Sequence, residues 1–104
     1  MPWYQYVAYF FGGAFMANAI PHFSNGISGR SFPTPFAHPP GKGLSPPTVN
    51  VLWGAFNAVV GYLLVFRVGY FAVHDTMNVV VVGVGALAMG VMLSQAFGQV
   101  FSAK

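Results

Sequence analysis

Three apolar runs, each close to twenty residues long, divide the chain, with proline- and glycine-rich or polar stretches between them. The first runs from Trp3 to Ile20, with Gln5 and Asn18 as its strongly polar members. As a helix rising 1.5 Å per residue it spans roughly 27 Å, enough for an untilted crossing of a thin bilayer. Pro2 suits a first helical position, where its missing N–H costs nothing. Pro21 disfavours helical geometry at Ile20, so the helix is expected to end there. The second run extends from Val49 to Phe66 behind Ser45-Pro46-Pro47-Thr48. Ser45 or Thr48 is the expected cap, with proline in the opening turn. The third runs from about Met77 to Phe97, and Val79 to Leu93 holds no polar side chain. Asp75 or Thr76 is its natural cap, and Asp75 also complements the positive end of the helix dipole.

The pattern predicts an all-α integral membrane protein forming one domain. Three transmembrane helices (residues 3–20, 49–66 and 77–97) flank a long Pro/Gly-rich loop over 21–47. Composition agrees: charged residues are 5% of the chain and apolar types 56%, against about a quarter charged in a soluble domain. Ala17-Asn18-Ala19 resembles a signal-peptidase site, but no Lys or Arg precedes Arg30. A secretory signal needs a basic n-region, so the first run is read as a span.

Basic residues set the expected orientation. Arg30, Lys42 and Lys104 fall on one side of three crossings, and Arg67, with Asp75 nearby, on the other. Positive-inside counting puts the long loop and C-terminus in the cytoplasm and the N-terminus outside, in a bacterial inner membrane. These cations are scattered, which is no nucleic-acid footprint.

Lipid gives little hydrophobic drive for helices to associate, so close approach at small residues matters. Ala86, Gly90, Ser94 and Gly98 place a small residue at every fourth position of the third helix, the expected face for a partner chain. Asn18, Asn50, Asn57 and Asn78 are candidates for interhelical hydrogen bonds, each worth up to about 1–2 kcal/mol.

The loop is too rich in proline for a regular helix. Phe23, Ile27, Phe32, Phe36 and Leu44 recur through it, so it is expected to pack over the helix ends or against a partner. Arg30 and Lys42 sit in Ser28-Gly29-Arg30 and Gly41-Lys42-Gly43. Glycine lets backbone N–H groups approach an anion, so these are candidate contacts for a lipid headgroup or an acidic side chain.

Catalytic chemistry is scarce. Asp75 is the sole carboxylate side chain and cysteine is absent, which removes paired-carboxylate and thiol mechanisms. His22 and His38 lie in the loop, whereas His74 lies across the membrane beside Asp75, so one site cannot hold all three. Two histidines fall short of the usual zinc ligand count, and no metal or cofactor is expected. The sequence therefore points to a non-catalytic accessory or assembly subunit of a larger membrane complex, in contact with lipids and with other integral subunits or its own copies. The alternative is a homo-oligomeric channel or facilitator lined by Asn50 and Asn57. A third reading is a lipid- or quinone-contacting protein using Trp3, Trp53 and the basic loop.

Overall fold

A computed structural model of the chain describes residues 2–102, and Lys104 lies outside them. The chain is mostly helical. Helix α1 covers Trp3–Ile27, a two-strand pair follows at β1 (Phe32–Pro33) and β2 (Leu44–Ser45), and α2 covers Pro47–Tyr62. A π-helical segment, Leu63–Val68, continues α2, and α3 covers Thr76–Ser102. The helices run up, down and up in a unit of 46 × 23 × 20 Å with α1 between the other two. Two stretches, Pro47–Val68 and Thr76–Ser102, are long and apolar enough to cross a membrane.

The first helix departs from the sequence pattern. It passes through Pro21 and ends seven residues later than expected. Proline removes one backbone donor and crowds the preceding turn, but tertiary contacts beyond it hold the helix. His22 is bonded to α2, and Gly26 lies so close to Pro47 and Val51 that an added Cβ would meet them at 2.6–2.7 Å. Asn25 Nδ2 also donates to the Pro21 carbonyl at 2.7 Å, bracing the turn.

A Schellman motif stops α1. The Arg30 N–H donates to Asn25 O at 2.9 Å and the Gly29 N–H to Gly26 O at 3.1 Å, with Gly29 at φ 74°. Glycine is the residue that takes this left-handed position without strain.

The other helix ends differ in kind. Pro46, not Ser45 or Thr48, precedes the first residue of α2, and no side chain caps it. Ser45 is drawn away because its hydroxyl pairs with Thr34 at 2.5 Å. Asp75 caps α3, its Oδ1 accepting the Met77 N–H at 3.0 Å. The π segment has no counterpart in the sequence reading. Its widened turn closes with Gly69 N–H donating to Leu64 O at 2.9 Å, and Tyr70 follows at φ 52°.

Glycine sets how closely the helices approach. On α3, a Cβ at Gly85 would strike the Phe10 carbonyl of α1, and one at Gly13 would strike the Val82 carbonyl of α3. Along α2, a Cβ at Gly61 would lie 2.7 Å from Met16, and one at Gly54 would lie 2.7 Å from the Phe23 nitrogen. The α1 and α2 pairs run antiparallel, whereas Tyr9–Asn78 and His22–Phe97 at the two ends show α1 and α3 parallel. Gly83, Gly90 and Gly98 of α3 have open space instead.

The glycines of α3 should therefore separate in a thermal or denaturant titration in micelles. Gly85→Val is expected to cost about 3 kcal/mol, because the opposing group is backbone that cannot rotate away. Gly90→Ala should change stability by less than about 0.5 kcal/mol. Equal losses would mean that the α1–α3 approach is not set at Gly85.

Candidate functional site

Four asparagines, His22 and Tyr9 gather inside the bundle, in two groups toward opposite ends. At the end bearing the strand pair, the central group is the Asn50 carboxamide, fully buried at 0% exposure. Its Nδ2 donates toward three backbone carbonyls, Phe32 O at 3.0 Å, Ser45 O at 3.2 Å and Pro46 O at 3.3 Å. Its Oδ1 lies 2.9 Å from His22 Nδ1. A flipped amide would turn its oxygen toward those carbonyls, so the network assigns the orientation. Oδ1 can only accept, so His22 carries its proton on Nδ1 and donates it. The Nε2 of His22 is then an unprotonated acceptor with no partner among the described residues.

His22 is 2% exposed, and its ring is fixed from three sides. Phe32, Phe97 and Trp53 meet it edge-on with ring centroids at 5.4, 5.9 and 6.4 Å. The loop supplies one of these walls because β1 and β2 pair Phe32 with Ser45, and the Thr34–Ser45 hydroxyl contact closes the pair from inside. One turn further along the bundle, Asn18 Nδ2 donates to Asn57 Oδ1 at 3.0 Å, and Asn57 Nδ2 donates to the Trp53 carbonyl at 2.8 Å. A cavity of about 210 Å³ opens beside this cluster, lined by Asn18, His22, Thr34, Trp53, Leu93 and Phe97 among others. The Trp53 indole Nε1–H is buried and has no acceptor.

The opposite end is built around Tyr9. Its hydroxyl donates to Gly69 O and accepts from Asn78 Nδ2 at 3.2 Å. The Tyr9 ring lies over Gly69, where a Cβ would stand 2.6 Å from Cδ1. This contact ties the π segment and the start of α3 to α1. Asn78 Oδ1 is buried without a partner.

Each of the four asparagines thus bonds within the bundle. Asn18–Asn57 and Asn50–His22 join α1 to α2, and Asn78–Tyr9 joins α1 to α3. The two glycine-flanked cations are placed differently from an anion nest. Gly29 and Arg30 spend their N–H groups on the α1 terminus, while Gly41, Lys42 and Gly43 donate to Thr34 O or Pro39 O at 2.8–3.0 Å. Arg30 Nε donates to Asn25 Oδ1 at 2.9 Å. Both cationic side chains remain exposed. Of the small residues on α3, Ala86 lies in the contact with α1, and Gly90, Ser94 and Gly98 face outward.

His38 is exposed, whereas His22 is sealed in the cluster. Among the described residues no three histidine or acidic side chains come together as a metal-binding group. Of the loop's apolar residues, Phe32 is buried, and Phe23, Ile27, Phe36 and Leu44 are exposed. Tyr9 is the organising residue that sequence reasoning passed over, and His22, weighed there as a metal ligand in the loop, lies inside α1 bonded to Asn50. Their signal was a lone polar group near a helix end facing an asparagine on the next helix. No family model, curated protein or solved structure matches the chain.

The tautomer is directly measurable. In a long-range ¹⁵N–¹H spectrum of ¹⁵N-histidine protein, His22 should give the Nδ1–H pattern, which Asn50→Leu should abolish. That variant should lose at least about 3 kcal/mol, because it strands a buried N–H and three carbonyls. Asn57→Leu should cost only about 1 kcal/mol, the worth of one interhelical bond. An Nε2–H pattern in the parent protein would refute the assigned network.

Proposed function

We propose that this chain is a non-catalytic accessory or assembly subunit of a larger membrane complex in a bacterial inner membrane. The supporting observation is the outer face of α3. Val80, Val84, Leu87 and Val91 are exposed there, while Gly90 and Gly98 leave the backbone open to close approach. A helix of 27 residues with only Asn78 and Gly85 buried gains little from its own bundle. Ser94 lies between the two glycines, so the approach surface is shallow and backbone-rich. Lipid fills such a surface less well than a second helix does. The partner-facing set is Gly90, Ser94 and Gly98, with Ala86 at its edge against α1.

The topology that goes with this reading has three crossings, with α1 as the first. Its 25 residues are long enough, and its polar side chains Asn18 and His22 are turned into the bundle. The N-terminus is outside, and the Arg30–Lys42 connection and the C-terminus are cytoplasmic. The burial of Asn50 and Asn57, at 0% and 1% exposure, favours a subunit over a channel. A pore lined by these residues would have to break the bonds that hold α1, α2 and the loop together.

Two measurements test the proposal. Native mass spectrometry from the cell's own membranes should find unrelated chains in fixed ratio, and Gly90→Leu with Ser94→Leu should release them while leaving insertion intact. Retention of the partners by that double variant would rule out the α3 face. The chain has no native cysteine, so single cysteines report topology cleanly. Lys42→Cys should react with a membrane-impermeant maleimide only after lysis, and Val73→Cys in intact spheroplasts. The reverse pattern would invert the proposed orientation.

A further inference from the structure

The loop between α1 and α2 is folded back along the bundle and does not stand above it. The Phe32 ring meets Phe97 and Phe101 of α3 with centroids at 4.6 and 5.6 Å. On the other side, the Phe36 ring stands perpendicular to Trp53 at 5.2 Å, nearly two turns into α2. Gly41 and Lys42 border a recess of about 400 Å³ with Ala96, Gln99 and Val100 of α3. At 1.5 Å per residue the 27 residues of α3 cover about 40 Å, and the whole unit is 46 Å long. The loop therefore adds little to the length. A bilayer measures about 30 Å across its hydrocarbon and about 40–45 Å with the headgroup layers. A bundle standing across it has this loop level with the headgroups.

The surface of the loop suits that depth. Ile27 at the end of α1, Phe36 and Leu44 are 64, 63 and 45% exposed, an arrangement that water penalises and acyl chains do not. Phe36 extends the exposed apolar side of α2, where it borders a groove of about 490 Å³ with Val49, Leu52, Trp53 and Phe56. Pro33, Pro35, Pro39, Pro40 and Pro46 bring no N–H that would need water. The N–H groups of Gly41, Lys42 and Gly43 are spent on Thr34 O and Pro39 O, and the Phe32 and Ser45 carbonyls on Asn50. These groups leave water without loss of a bond. The charges are of one sign. Arg30 and Lys42 are exposed at this end, whereas Asp75, the sole carboxylate side chain, caps α3 at the opposite end.

We propose that the strand-pair loop is seated in the bilayer interface and binds anionic phospholipid. Ile27, Phe36 and Leu44 reach the acyl boundary, an acyl chain occupies the groove beside Trp53, and Arg30 and Lys42 meet the phosphates. A zwitterionic lipid fills the groove equally well but brings the two cations no net counter-charge. The occupant is lipid and not a protein chain because Phe36 runs on without a break into the exposed Leu52 and Phe56 of α2. The inference rests on the membrane reading of the bundle and is independent of the partner face on α3.

The test uses the full chain in lipid nanodiscs. Spin labels go singly on Ile27→Cys, Phe36→Cys and Leu44→Cys, with Leu87→Cys on the outer face of α3 as the reference for a membrane-spanning position. All three loop labels should collide more often with oxygen than with a water-soluble nickel chelate. Nickel-chelate dominance at any of them, with Leu87 still favouring oxygen, overturns the embedded loop and leaves the membrane reading standing. Nickel-chelate dominance at Leu87 removes the membrane reading itself and the inference with it. The lipid preference is read from a bimane on Leu44→Cys quenched by brominated lipid. Brominated phosphatidylglycerol should quench at a mole fraction at least about fivefold lower than brominated phosphatidylcholine, the attraction of one cation near an anionic surface. Lys42→Gln should reduce that difference, and Arg30→Gln with Lys42→Gln should remove it. Equal quenching by the two lipids in the parent chain, or an undiminished difference in the double variant, overturns the anionic preference. So does a difference erased by inorganic phosphate at an ionic strength matched with chloride, which marks a site for the free anion.

Discussion

The Asn50 carboxamide is the interaction on which the strand-pair end of this molecule depends. It is the one side chain that touches α1, both strands of the loop and the start of its own helix at the same time. Its two N–H groups serve three carbonyls that no ladder bond would otherwise reach in so short a strand pair. Its oxygen fixes the proton on His22. Aspartate at this position would place a charge against three carbonyl dipoles, and glutamine would carry the amide one methylene too far into the loop. Buried polar networks of this kind matter more than their bond count suggests, because each unpaired group left behind is costly. The continuation of α1 through Pro21 follows from the same contact, since His22 is the first residue beyond the proline.

A second constraint, close backbone approach, governs everything between the two polar ends. Helix α1 is pressed by α2 on one side at Gly54 and Gly61, and by α3 on the other at Gly85. The bundle is therefore a layer with α1 in the middle rather than a closed triangle. That arrangement buries α1 well and leaves the outer faces of α2 and α3 apolar and exposed, from Leu52 and Phe56 to Leu87 and Val91. An unpaired stripe on α3 is the physical consequence of having only three helices and using the central one twice.

The second and third helices were legible in the sequence because long apolar runs with flanking prolines or a capping aspartate leave few alternatives. The first was half legible. Its apolar run marked the start, but Pro21 was weighed by local sterics alone, and a contact between residues 22 and 50 does not show in a local window. The glycines of the loop looked like an anion cradle because Gly29 and Gly41 do adopt positive φ. What the pattern hid was the destination of the N–H groups, which go to Asn25, Gly26, Thr34 and Pro39 carbonyls. The asparagines were visible as polar residues in apolar helices, whereas Tyr9 was not singled out and His22 was placed in the loop instead of on α1. The π segment left no trace at all, since it arises from Tyr9 lying over Gly69, sixty residues away.

Among the described residues two buried side-chain atoms lack partners, Asn78 Oδ1 and Trp53 Nε1, and they differ in kind. Asn78 already spends its Nδ2 on Tyr9 and adjoins none of the cavities described, so its idle oxygen is the residual cost of anchoring α3 to a tyrosine. Under-satisfied carbonyl-type oxygens are less rare in folded proteins than orphaned N–H groups. An unpaired indole N–H has no second role to offset it.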